Sequence, residues 1–205
     1  MPTSPTVFVV DDDPAVLKSL SRLLRSAGLA VTTFSSPREF LERYDPESPG
    51  CLVLDMAMPE LNGLELQQAL VTSGHDPAIV FLTGRGDIPM SVQAMKSGAM
   101  DFLTKPVNDD CLLSAVRVAI EKDQLQRQLR AEVAEIQKLL ATLTPREREV
   151  LEHLITGQLN KQIAGDLGTA EKTIKVHRAR VLEKMKVKSV AELVHLAERA
   201  AIRRK

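Results

Sequence analysis

Hydrophobic residues in the first half of the chain fall into short runs, and each run stops at a polar residue. Val7-Phe8-Val9-Val10 leads into Asp11-Asp12, Cys51-Leu52-Val53-Leu54 into Asp55, Ala78-Ile79-Val80-Phe81-Leu82 into Thr83, and Met100-Asp101-Phe102-Leu103-Thr104 into Lys105. Runs of this length, separated by stretches of helical periodicity, predict buried parallel strands of an α/β sheet. Asp13-Pro14 opens the first helix as N-cap and first-turn pair, and Gly28 closes it. Ser36-Pro37-Arg38-Glu39 reads as a capping box with proline in the first turn. The alternation runs to about residue 105 and gives five strands and five helices.

From Asn108, an expected N-cap, to Thr144 the sequence is helical and holds neither Gly nor Pro. Leu129, Val133, Ile136, Leu140 and Leu143 repeat along it at spacings of four and three. Such a stripe either packs on its own domain or pairs two chains in a short coil, and fewer than three heptads do not separate the two. Beyond it, Thr144, Pro145 and Glu147 form another capping box. A short helix from Asn160 to Leu167, a turn at Gly168-Thr169-Ala170 and a helix from about Glu171 to Met185 suggest a helix-turn-helix, whose second helix enters the major groove. At 100° per residue Ile174, Val181, Leu182 and Met185 share one face of that helix. Lys172, Lys175, Val176, Ala179 and Arg180 share the other.

Composition adds a division of charge. The formal net charge of the 205 residues is zero. Residues 1–141 nevertheless hold 13 Lys and Arg against 19 Asp and Glu, and residues 142–205 hold 14 against 8. A basic C-terminal part points to a polyanion partner. The two cysteines, Cys51 and Cys111, have no metal-ligand or redox-motif spacing and are expected in buried apolar roles. No signal segment or membrane span is evident, so the expected location is cytoplasmic, away from membranes.

Ligands of parallel α/β sheets bind outside the carboxyl ends of the strands. Asp11, Asp12, Asp55, Thr83 and Lys105 would therefore meet in one pocket. Crowded carboxylates repel unless a cation sits among them, and oxygen ligands suit Mg²⁺. With the repulsion cancelled, Asp55 is a candidate nucleophile toward phosphorus. Each residue alone is also an ordinary strand-end surface residue; their convergence argues for chemistry. Val176 is either a tolerated surface valine or a contact to a thymine methyl beside lysines that reach bases and phosphates. His177, near the buried face and without metal-site partners, reads as a packed or hydrogen-bonded histidine.

These residues carry a family resemblance. Asp11-Asp12, the segment Asp55-x-x-Met58-Pro59-x-x-Asn62-Gly63, Thr83-Gly84 and Gly98-Ala99-Met100-Asp101-Phe102-Leu103-Thr104-Lys105-Pro106 resemble the receiver domain of two-component response regulators, and Leu82 to Met90 resembles its FixJ branch. The resemblance implies a flavodoxin-like (βα)5 receiver over residues 1–122 with Asp55 as phosphoacceptor. Mg²⁺ would be held by Asp11, Asp12, Asp55 and the backbone oxygen of Ala57. Thr83 and Lys105 would hold phosphoryl oxygens, Phe102 would be the switch aromatic, and the bond before Pro106 is usually cis in the family.

Leu143 to Leu151, Asn160-Lys161-Gln162-Ile163-Ala164 and Thr173-Ile174-Lys175-Val176-His177 resemble the LuxR-type four-helix DNA-binding domain, over residues 142–205 behind a helical linker of residues 123–141. By this resemblance Lys172, Thr173, Lys175, Val176, Ala179 and Arg180 meet DNA. The family's usual Ser N-cap is replaced by Ala170, and Thr169 is expected to cap instead, one residue earlier. The implied function is a phosphorylation-activated transcription regulator with a sensor histidine kinase, double-stranded promoter DNA and RNA polymerase as partners. The phosphorylated homodimer would form through the fifth strand and the helix before it. Two rivals are a phosphohydrolase, against which stands the absence of a general acid at Ala57, and an adaptor whose basic helix binds an acidic protein.

Overall fold

The computed structural model describes residues 4–84 and 99–200. The helix expected between the fourth and fifth strands, and the terminal Arg203-Arg204-Lys205, lie outside the described residues. Strands β1 (Thr6–Val10), β2 (Ala30–Phe34), β3 (Gly50–Asp55), β4 (Ala78–Thr83) and β5 (Asp101–Thr104) form one parallel sheet in the order β2-β1-β3-β4-β5. The described helices are α1 (Pro14–Ser26), α2 (Pro37–Arg43), α3 (Gly63–Thr72), α4 (Asp109–Ala141), α5 (Pro145–Leu154), α6 (Asn160–Asp166), α7 (Glu171–Lys184) and α8 (Val190–Arg199). The chain divides into two compact units, residues 1–127 and 128–205.

The apolar runs are continuous because both faces of the sheet are covered. Side chains alternate along each strand. Val7, Val9, Cys51, Val53, Val80 and Leu82 pack with Leu20 and Leu24 of α1 and Leu112, Val116 and Ala119 of α4. The intervening residues Phe8, Val10, Leu52, Leu54, Ile79 and Phe81 pack with Phe40 of α2 and Leu66 and Leu70 of α3. Asp13 caps α1 by accepting from the Ala15 N–H at 2.8 Å. Ser36 caps α2, but Glu39 turns its carboxylate to the N–H and hydroxyl of Ser35, so the box there is not the reciprocal one expected.

Helix α4 is one unbroken helix of 33 residues. Asn108 caps it through the Cys111 N–H. Its early turns belong to the first unit, where Asp123 is buried. The Asp123 carboxylate accepts from the Gly50 N–H at 2.8 Å and from Arg127 Nε at 2.8 Å. The Arg127 guanidinium also donates to the carbonyls of Pro46, Glu47 and Ser48. Gly50 sits at φ +147°, and a Cβ there would lie 1.8 Å from the Thr6 carbonyl oxygen, so only glycine fits beneath this clamp. Cys51 is buried, and burial followed by the nearby Asp123 charge pushes its thiol up to about 12. Cys111 is exposed, contrary to expectation: it lies off the helix face that Leu112, Ala115 and Val116 turn to the sheet.

In the second unit, Ile136 and Leu140 of α4 and Leu143 join Val150, Leu151, Leu154, Ile163, Ile174, Val181, Met185 and Leu193 in one core. The C-terminal part of the apolar stripe thus packs on its own unit, while Leu129 is 52% exposed. Thr144 and Glu147 form the expected reciprocal box. Thr169 does not cap α7. Its N–H closes the preceding helix on the Ala164 carbonyl, after Gly168 at φ +60°, and the N-cap is Ala170, without a side-chain hydrogen bond.

Candidate functional site

The strand order reverses between β1 and β3, which have β2 and β4 as their outer neighbours. This is the switch point at which open α/β sheets bind ligands. Asp11 follows β1, Asp55 ends β3, Thr83 ends β4 and Lys105 follows β5. Asp11, Asp55 and Thr83 are buried, Lys105 is half-buried and Asp12 is exposed. The four strand-end groups and Asp12 therefore gather at one rim of the sheet.

Lys105 Nζ lies 2.6 Å from Asp11 Oδ2 and 3.2 Å from Asp55 Oδ1. Asp11 Oδ1 accepts from the Asp13 N–H at 3.0 Å. Asp55 Oδ1 is buried and, despite the nearby ammonium, has no hydrogen bond of good geometry. Burial pushes the Asp55 carboxyl up. The Lys105 charge and the Ala57 N–H oppose this and the Asp11 charge adds to it, leaving the carboxyl above the usual carboxylate range. Burial lowers Lys105, but its contacts with Asp11 and the charge of Asp55 outweigh that and leave it raised. One ammonium thus partly neutralises two carboxylates that would otherwise repel.

Asp11, Asp12 and Asp55 each offer a carboxylate oxygen, and these atoms lie within 4.8 Å of one another. The donors are hard oxygens, one of them buried and lacking a hydrogen bond, which fits a small divalent cation. Ala57, whose carbonyl is the fourth expected ligand, is exposed in the turn after β3, between the buried Met56 and Met58. That turn is fixed by bonds from the Met56 N–H to the Leu82 carbonyl and from the Gly63 N–H to the Met56 carbonyl. A Cβ on Gly63 would come within 2.6 Å of the Asp55 carbonyl oxygen, so glycine lets α3 start against the end of β3. The sequence alone marks Gly63 only as part of a motif.

Thr83 pairs with Thr104 and Phe81 with Phe102 across β4 and β5. Thr83 and Phe102 therefore point to the same face as diagonal neighbours. Phe102 is half-buried against the cluster that holds Phe81. The Lys105–Pro106 peptide bond is cis.

On α7 the residues Lys172, Thr173, Lys175, Val176, Ala179 and Arg180 are all exposed, and Ile174 and Val181 are buried. Val176 is 46% exposed among charged neighbours. Lys175 approaches Glu171 at 3.4 Å, and Arg178 donates to Asn160 Oδ1 of α6. His177 is packed, with a buried Nδ1 that has no hydrogen-bond partner. Beneath the face lies a group that the sequence pattern does not reveal. Lys184 Nζ is 2.6 Å from Glu147 Oε2, and it donates to the Thr142 carbonyl at 3.0 Å. Its hydrogen bond, together with that from the Thr144 N–H, holds the Glu147 carboxyl well down, to about 2.

Comparisons with known proteins agree with this geometry. Residues 7–117 match the response regulator receiver domain family, and residues 141–197 match the luxR family of bacterial regulatory proteins. Nodulation protein W of Bradyrhizobium diazoefficiens is 46% identical over 200 residues, covering 98% of this chain and 88% of that one. Response regulator protein TodT of Pseudomonas putida is 45% identical over 193 residues, covering 94% of this chain and 85% of that one. The solved structure of response regulator StyR superposes with a TM-score of 0.85 at 49% identity, covering 96% of this chain and 99% of that one. Among the described residues no helix is long and apolar enough to cross a membrane. A receiver domain implies a histidine kinase partner and a LuxR-type domain implies DNA binding, so the phosphohydrolase reading falls away. The chain belongs to the two-component response regulators with a LuxR-type DNA-binding domain, a family of transcription factors rather than enzymes.

Proposed function

We propose that Asp55 accepts a phosphoryl group from a phosphohistidine of the partner kinase, and that the phosphorylated chain dimerises and binds promoter DNA sequence-specifically to activate transcription with RNA polymerase. The observation that carries this reading is the buried Asp55 Oδ1, which has no hydrogen bond and faces a shared ammonium at 3.2 Å. An Asp55 oxygen forms a bond to phosphorus as the bond from phosphorus to the imidazole nitrogen breaks. The imidazole leaves with the electron pair and takes up a proton, and an acyl phosphate remains. Lys105 gives its charge to the phosphoryl oxygens as its interaction with Asp55 is exchanged.

Asp11, Asp12, Asp55 and the Ala57 carbonyl would hold Mg²⁺. When bound, the ion supplies the positive charge that lets crowded carboxylates and a phosphoryl group coexist. Thr83 donates its hydroxyl to a phosphoryl oxygen and moves toward it. The diagonal Phe102 then takes the vacated space, and the reshaped β5 surface favours the dimer. A local modification shifts a population only by stabilising one of two packings more than the other. In the second unit, Lys172 and Lys175 reach DNA phosphates and bases, Thr173, Ala179 and Arg180 flank them, and Val176 meets a thymine methyl.

The test treats the full chain with acetyl phosphate and Mg²⁺ and follows mass, sedimentation and DNA binding together. One phosphoryl group, a dimer and tighter DNA binding are expected to appear in parallel. Thr83→Ala should take up phosphate yet dimerise poorly. Full phosphate-dependent dimerisation of Thr83→Ala would place the switch elsewhere, and failure of any duplex to bind the phosphorylated dimer would return the adaptor reading.

A further inference from the structure

Glu147 is the only acidic side chain buried in the second unit among the described residues. It does two things at the start of α5. Its carboxylate accepts from the Thr144 N–H at 2.9 Å, completing the capping box, and it receives Lys184 Nζ at 2.6 Å. Lys184 is the last residue of α7, and its ammonium also holds the Thr142 carbonyl, just beyond the end of α4. Three elements thus converge on one ammonium: the end of α4, the start of α5 and the end of the DNA-facing helix. The exposed face of α7 does not include Lys184, which lies at the helix flank with its side chain one-third exposed at 33%.

We infer that Lys184 and Glu147 are positioning residues for DNA reading, setting the angle at which α7 presents Lys172, Lys175 and Val176 to the groove. This rests on the DNA-binding reading above. Only the carboxylate of this pair is buried, and a pair with a buried member contributes little net stability over apolar packing, so the geometry it enforces is the property to test. The lever is long. Lys172 lies twelve residues from Lys184, about 18 Å along the helix at 1.5 Å per residue, so a tilt of about 10° at the latch moves the reading end by about 3 Å. A displacement of that size breaks direct hydrogen bonds to bases, which tolerate a few tenths of an ångström. It barely changes the attraction of lysines for phosphates, which falls off over about 10 Å.

The experiment uses the phosphorylated full chain and a duplex that the parent selects from a randomised pool. Lys184→Met, Glu147→Gln and the double variant are compared with Lys184→Arg, each with a urea melt to establish the folded fraction. Glutamine also serves in capping boxes, so Glu147→Gln keeps the cap while removing the charge. The preference for the selected duplex over a random one should fall about tenfold or more in both single variants, and no further in the double, since specific sites normally bind 10³–10⁷ tighter than non-specific DNA. Random-duplex affinity and salt slope should not change, and Lys184→Arg should restore most of the preference. If Lys184→Met does not fold, Glu147→Gln and Lys184→Arg decide the matter. Retained preference in folded variants, or a parallel fall on both duplexes, would show that the pair serves stability alone. A parent with no sequence preference would overturn the DNA-binding reading and this inference with it.

Discussion

Asp11, Asp55 and Thr83 lie 0%, 5% and 4% exposed at the ends of adjacent or near-adjacent strands, while Lys172, Lys175 and Arg180 stand exposed on a single helix of the other unit. On the function proposed above, the difference follows from the two partners. A phosphoryl group is small and must be gripped where water screens little, so its ligands come from separate strands whose register fixes them to a fraction of an ångström. Duplex DNA is a large polyanion met from outside, so its ligands share one helix and remain solvated until the duplex arrives. Among the buried carboxylates of the described residues, Asp55 alone has an oxygen without a hydrogen bond, whereas Asp11, Asp123 and Glu147 are already paired with Lys105, Arg127 and Lys184.

The strongest way to break this contrast is Asp55→Asn. Mass spectrometry after acetyl phosphate treatment should show no phosphoryl increment, while binding of the unphosphorylated variant to random DNA keeps the parent's salt slope. A phosphorylated variant would mean that the nucleophile lies elsewhere, and a changed slope would mean that the two chemistries are not separate. Next in size is Lys172→Ala with Lys175→Ala, in which the slope of log affinity against log salt should fall by about 0.9 for each phosphate that is no longer neutralised. Phosphorylation should proceed as in the parent.

A subtler effect sharpens the comparison through pH. Burial, helped by Asp11, raises the folded carboxyl of Asp55 above its unfolded value. Stability from such a group is fully present below the unfolded value and is lost as pH rises through the folded one. Without divalent cations, Asp55→Asn should therefore resist urea better than the parent at neutral pH, and the gap should close on acidification through the carboxylate range. A gap that widens on acidification would show that Asp55 is stabilised in its charged form. The smallest expected effect is Val176→Ala, which should cost at most about 1–3 kcal/mol of discrimination at one base pair. Competition binding on a randomised duplex that finds the parent's preference unchanged would make Val176 mere surface.

The strands and the pocket are legible in the sequence because both rest on local pattern. An apolar run that ends in Asp, Thr or Lys marks the end of a strand, and the rule for parallel sheets brings such ends together. Helix faces are legible for the same reason, as the exposed Val176 and the buried Ile174 show. What escapes depends on partners far apart in the chain. Asp123 and Arg127 look like an ordinary surface pair four residues apart, and nothing local reveals that they hold the segment from Pro46 to Gly50. Glu147 reads as a cap, which it is, but Lys184 lies 37 residues away. Thr169 fails as a cap because the first carbonyl to accept bonds from the helix is that of Ala170, which leaves Thr169 one residue outside the N-cap position.

The unbroken helix α4 has a consequence for how such a protein can be divided or recombined. A fragment that stops at residue 117, where the receiver match ends, would lack Asp123 and Arg127 and leave the Gly50 N–H and the carbonyls of Pro46, Glu47 and Ser48 without those partners. A fragment that starts at residue 141, where the second match begins, would strip Ile136 and Leu140 from the other core. The cuts that spare both fall between Arg127 and Ile136, inside a helix. Exchange of inputs and outputs between relatives within this stretch therefore requires that two helical segments be joined in phase, with no loop to absorb an error.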